Sequence, residues 1–238
     1  MNTPRQATAN ERIDIHINTD KFQNHLHWQR YKFTLDSVLP GSRVLEVGTG
    51  LGVFSEMLLG HVSSYKGIEY DAEACRQSQQ RIGSTDLIER GDAQNLQFES
   101  ASFDEVICLE VIEHLPDYRQ ALNEVARVLR KRGRFHASIP YRSKGGPSLT
   151  NPHHLYEPGE KEFLKELVLR FSSVSVFFQR FEETLLMSMA RRCRLRRYLG
   201  MVKPYKELTE GAAEQLKQVK LDSHRKGMIL GLYCVCSL

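Results

Sequence analysis

The chain has 238 residues, 41% hydrophobic and 26% charged, values that suit one large α/β domain and exclude disordered, collagen-like and disulfide-scaffold classes. Lysine and arginine outnumber the acids 33 to 29, and a net charge of only +4 argues against a broad nucleic-acid footprint, though not against a local basic patch. The five cysteines form no C-x-x-C pair, so neither a zinc site nor a disulfide framework is expected, and no apolar run is long enough to span a membrane. The polar opening, Met1 to Gln6, has no signal-peptide character, so a reducing cytoplasm is the expected setting.

Residues 1–18 read as a polar lead-in, and 20–39 as a helix with Phe22, Leu26, Phe33 and Val38 near one face, closed by Pro40-Gly41. Short apolar runs follow at 43–47, 65–69, 103–109 and 134–139, each bounded by glycine, proline or polar residues. Helix-period stretches lie between them, such as Tyr118 to Arg130 with Ala121, Leu122, Val125 and Leu129. This alternation predicts βαβ units and a parallel sheet covered on both faces. The run 173–178 reads as a further strand, 181–222 as a helical basic insertion, and Met228 to Cys236 as the last strand. The expected division is a lead-in and covering helix over 1–40, then one domain over 41–238.

The first chemical motif is Val44-Leu45-Glu46-Val47-Gly48-Thr49-Gly50-Leu51-Gly52, where the first strand turns into a helix. Glycines there let the backbone pass close under a ligand, and the helix start offers free N–H groups to a negative ligand end. A dinucleotide fingerprint would need glycine or alanine at Val53, which disfavours a dehydrogenase. The pattern E-x-G-x-G-x-G instead resembles the class I S-adenosylmethionine-dependent methyltransferases.

The resemblance continues at the next strand ends: Glu69, then Asp92 and Ala93 in Arg90-Gly91-Asp92-Ala93, then Glu110 in Cys108-Leu109-Glu110-Val111-Ile112-Glu113-His114-Leu115-Pro116. It spans residues 41 to about 140. It implies a Rossmann-like α/β fold with a seven-stranded, mostly parallel sheet, the last strand antiparallel, and helices on both faces. It also implies that Glu46, Gly48, Gly50, Gly52, Glu69, Asp92, Ala93 and Glu110 hold S-adenosylmethionine, with Glu69 accepting from the ribose hydroxyls and Asp92 from the adenine amino group.

Methyl transfer to an alcohol needs a base or a metal to take or weaken its proton. The candidates are Glu110, Glu113, His114, His153 and His154, with His114, His154 and Glu113 taken as the catalytic set. Glu-x-x-Glu-His also resembles small-RNA 2′-O-methyltransferases, in which these residues and a downstream histidine bind a metal. The same words occur in ubiquinone-pathway and glycan O-methyltransferases without one, so an acid–base role is favoured over a divalent metal and no metal ligand is assigned. The expected acceptor is a small molecule or glycan, and 2′-O-methylation of RNA is the alternative. Tyr31 or Trp28 would close over the cofactor, stack on a sugar or pin the helix to the core. Arg191, Arg192, Arg194, Arg196 and Arg197 form a basic cluster suited to phosphate, to peripheral contact with an anionic membrane, or to solvent alone.

Overall fold

The computed structural model describes residues 26–148, 151–181, 209–211 and 228–238. Its first helix, α1 (Leu26–Ser37), ends just ahead of Pro40 and of Gly41, whose φ of 77° turns the chain into β1 (Arg43–Val47). Four of the five β1 side chains are buried, as expected for a strand covered on both faces. Then follow α2 (Val53–Leu59), β2 (Ser64–Glu69), α3 (Ala72–Ile82), β3 (Ile88–Arg90), β4 (Phe103–Leu109) and a short 3₁₀ turn, Ile112–His114. The chain continues through α4 (Tyr118–Val128), β5 (Leu129–Pro140), α5 (Glu160–Val168), β6 (Ser173–Phe181), β7 (Thr209–Gly211) and β8 (Met228–Ser237).

Local chemistry explains the helix limits. Asp71 caps α3 by accepting from the Ala74 N–H at 2.9 Å, and Gly83 ends it at φ 69°. Asp117 caps α4 in the same manner. Of the predicted stripe, Ala121, Leu122 and Val125 are the face that α4 buries, whereas Leu129, expected in the helix, begins β5 because the chain turns extended there.

The strand order is β3-β2-β1-β4-β5-β8-β6-β7. Strands β1 to β5 pair in parallel, and β8 runs antiparallel between β5 and β6. The expected seven-stranded sheet with its antiparallel last strand is therefore present. Short β7, antiparallel on the outer edge of β6, is an addition. Its residues fall inside the 181–222 segment, for which the sequence pattern predicts helix. The rest of that segment from 182 onward, the arginine cluster, the lead-in and Phe22 lie outside the described residues.

One apolar cluster packs α4 and α5 on the sheet through Leu122, Val125, Phe163 and Leu167. The other packs Val38, Phe54, Leu58 and Cys75 on the opposite face. Each fully buried leucine or phenylalanine contributes about 1.5–3 kcal/mol. A buried polar network crosses the sheet as well. His136 Nε2 lies 2.6 Å from Glu105 Oε2, and its Nδ1 lies 2.9 Å from the Tyr233 hydroxyl. Glu105 also accepts from the Leu39 N–H at 2.8 Å and pairs with Arg134, so the α1–β1 connection is tied to β4, β5 and β8. Sheet order reverses between β1 and β4, and a ligand crevice forms beyond the carboxyl ends of such a pair.

Candidate active site

A cavity of about 570 Å³ opens at that point. Its floor is the glycine turn. Gly48 has φ 78°, and a Cβ there would collide with Val111. Gly50 has φ 54° with open space around it, and its N–H donates to Glu69 Oε2 at 2.8 Å. Gly52 plays a different part from the one expected. At φ 76° it starts α2, and a Cβ there would meet Ser78 of α3 at 3.0 Å, so it is a packing glycine rather than a cavity wall.

Glu46, Glu69, Asp92, Ala93 and Glu110 all line the same cavity. Glu46 is 5% exposed and accepts from Tyr65 at 2.6 Å and Ser55 at 2.7 Å. Burial pushes its carboxyl up to about 7. Asp92 accepts from the Gln94 N–H at 2.8 Å, which fixes the loop after β3. From α1, Tyr31 both lines the cavity and stacks on Phe54 with centroids 4.8 Å apart, so facing the ligand space and pinning the helix are combined in one ring. Trp28 is not part of the wall.

The other half of the site begins at Glu110, a non-glycine residue at φ 56°. Its carboxylate accepts from Ser138 Oγ at 2.8 Å and pairs with Arg30 Nη1 at 2.8 Å. Glu110 is thus engaged on both oxygens. Glu113 is 1% exposed, and its Oε2 has no hydrogen-bond partner among the described residues. Burial, reinforced by the charge of Glu110, holds this carboxyl well above the usual range and favours the protonated form.

His114 and His154 stand edge to face with ring centroids 4.7 Å apart. His114 Nδ1 lies 3.1 Å from the His153 carbonyl, and His154 Nδ1 lies 2.7 Å from Glu157 Oε1. Each partner accepts only, so each Nδ1 carries a proton, and in the neutral ring Nε2 is the basic atom. Glu157 also takes Arg142 Nη1 at 2.8 Å. Burial opposes its charge, but hydrogen bonds from Arg142, Ser148 and His154 outweigh that and bring it to about 2. The loop carrying His154 is fastened to the 3₁₀ turn, because the Leu155 and Tyr156 N–H groups both donate to the Glu113 carbonyl, at 2.9 and 3.2 Å.

Two site features escape sequence reasoning. Glu157 stands three residues after His154, a spacing that could have suggested the pair, whereas Arg30 gives no signal beyond being a charge on a helix. The donor atoms of Glu113, His114 and His154 lie within 4.8 Å of one another, and one carboxylate with two imidazoles is a donor set that fits a divalent transition metal. Glu110, held by Arg30 and Ser138, does not join it.

Residues 45–137 match the family model described as "Methyltransferase domain". A Mycobacterium tuberculosis phthiotriol/phenolphthiotriol dimycocerosates methyltransferase is 34% identical over 128 residues, 52% of this chain and 47% of that protein. A demethylmenaquinone methyltransferase of Staphylococcus epidermidis is 29% identical over 128 residues, 52% of this chain and 53% of its own length. The chain spans about half the length of these curated relatives. Among solved structures, a SAM-dependent methyltransferase of Thermotoga maritima superposes with a TM-score of 0.60 at 18% identity, covering 93% of this chain and 95% of its own. Sheet order, glycine turn and sequence match converge: residues 45–137 resemble a methyltransferase domain, and the described residues have the fold of the class I S-adenosylmethionine-dependent methyltransferases.

Proposed function

We propose that the chain moves a methyl group from S-adenosylmethionine to a hydroxyl of a small-molecule or glycan acceptor, with His154, seconded by His114, taking the acceptor's proton. The observation that carries this reading is the paired imidazoles, each fastened through Nδ1, on the wall of the cavity floored by Gly48 and Gly50, an arrangement that makes Nε2 the basic atom of a neutral ring. The cofactor supplies an electrophilic methyl carbon on a sulfonium. Gly50 leaves a cradle that a side chain would fill, and Glu69 and Asp92 offer acceptors to hydroxyl and amino groups. What remains for the protein is to seat the acceptor oxygen about 3–3.5 Å from that carbon and remove its proton. Burial holds the Glu113 carboxyl well above the usual range, which lessens the negative charge facing a developing alkoxide.

The Glu113–His114–His154 cluster favours a second reading, metal-assisted transfer to a ribose hydroxyl of RNA. The arginine cluster that would hold RNA phosphates lies outside the described residues. Labelled S-adenosylmethionine offered to separated lipid, glycan, small-molecule and RNA fractions, with and without chelator, tests both. Label in a non-RNA fraction that survives chelation supports the first. Label confined to RNA and abolished by chelation overturns it in favour of the second.

A further inference from the structure

Arg30 is 5% exposed and reaches out of α1 in two directions. Its Nε donates to Gln179 Oε1 of β6 at 2.7 Å, and its Nη1 meets Glu110 Oε2 at 2.8 Å. Glu110 sits at φ 56°, a conformation that a side-chain-bearing residue keeps only where its surroundings over-determine it. Two hydrogen bonds and one ion pair do so: its N–H donates to the Ser138 carbonyl at 3.1 Å, Ser138 Oγ donates to Oε1, and the Arg30 charge lies 2.8 Å from Oε2. The left-handed step lays Val111 against the Cβ-less Gly48 and starts the 3₁₀ turn that delivers Glu113 and His114 to the cavity. The helix bearing Arg30 also supplies His27 and Tyr31 to the cofactor side of the same cavity.

We propose that Arg30 is a positioning residue that fixes the left-handed Glu110 step and couples the catalytic turn to the helix walling the cofactor space. The proposal rests on the reading that Glu113 and His114 face the reacting atoms. Loss of the guanidinium frees Glu110 to leave φ 56°, displacing His114 and loosening α1 together. Arg30 therefore affects both cofactor affinity and turnover without touching the acceptor.

The test uses the full chain with Arg30→Met, Arg30→Lys and the double variant Arg30→Met/Glu110→Gln. Calorimetry with S-adenosylmethionine, kcat on the acceptor that takes the label and melting temperature are measured for each. Arg30→Met should lose about 100-fold in kcat, the scale of an ångström-sized misplacement, and should weaken cofactor binding. Arg30→Lys, which keeps the charge beside Glu110, should recover most of the kcat. The double variant removes the half-buried carboxylate left without its cation, so its melting temperature should return toward wild type while kcat stays low. Recovery of kcat together with melting temperature would reduce Arg30 to a purely structural role and overturn the proposal. If no acceptor is methylated by the wild type, the functional reading fails on its own. Calorimetry then still decides, because unchanged cofactor affinity in Arg30→Met overturns the coupling.

Discussion

The Glu157 carboxylate lies 2.7 Å from Nδ1 of His154 and, through its other oxygen, 2.8 Å from Arg142. With its pKa drawn down to about 2, it stays an acceptor across the whole working range of the protein. The proton on Nδ1 is thereby fixed, so Nε2 is the basic atom whenever the ring is neutral. Glu157→Gln can turn an amide N–H toward Nδ1 and select the other tautomer. Turnover should fall about 10–1,000-fold with the cofactor KM unchanged. Imidazole ¹⁵N shifts should show His154 leaving the Nδ1–H form. Wild-type kcat in that variant would remove His154 from the base role.

Two neighbouring glycines should separate folding from binding. At Gly50 a methyl group meets no protein atom but enters the ligand space at φ 54°. Gly50→Ala should lose about 1–2 kcal/mol of stability and most cofactor affinity. At Gly48 the methyl strikes Val111. Gly48→Ala should therefore show a larger drop in melting temperature than Gly50→Ala, measured side by side by thermal denaturation without cofactor.

Glu46 makes stability depend on pH in a defined sense. Its folded pKa of about 7 lies above the ordinary 4.5, so the folded state holds the extra proton in that window. The contribution is fully present below pH 4.5 and is lost as pH rises through 7, by about 3 kcal/mol at most. Glu46→Gln keeps an oxygen for Tyr65 and Ser55 while abolishing the titration. Unfolding free energy between about pH 5 and 8 should flatten in that variant. An unchanged slope would assign the effect to another group.

Divalent metal is not required if His154 and His114 act as bases. Protein dialysed against chelator should retain its turnover, and added Mn²⁺ or Zn²⁺ should not raise it. An activity lost on dialysis and restored by one ion would instead make Glu113, His114 and His154 ligands.

The cross-sheet pair of Glu105 and His136 offers a control distant from the chemistry. Glu105→Ala leaves Arg134 and His136 without their buried partner and should cost about 3–5 kcal/mol. Chemical denaturation measures this directly, and cofactor affinity per folded molecule should be preserved.

Period and punctuation make β1, β2, β4, β5 and α4 legible, because a parallel strand buried on both faces is largely apolar and its helices carry a stripe, whereas β3 is too short to show a run. The acids at strand ends are readable for the same reason: position follows from the strand limits. Gly52 invites misreading because spacing shows that a side chain is forbidden but not what forbids it. In this fold the obstacle is Ser78 of α3 rather than a ligand. Arg30 and the second bond of Glu157 are invisible in the sequence since both depend on contacts made across the fold, 80 residues apart for Arg30 and Glu110. The left-handed Glu110 is unreadable as well, a strained step that local preference argues against.

The placement of β8 between β5 and β6 bears on how the chain is made. As it emerges during synthesis, β1 to β5 can assemble early, but the open margins of β5 and β6 wait for Met228–Ser237. Until then two rows of unpaired backbone groups are available to other nascent chains, an invitation to edge-to-edge association. A truncation before residue 228 should therefore yield inclusion bodies rather than a smaller soluble fragment, although every residue of the glycine turn and of the histidine pair would still be present.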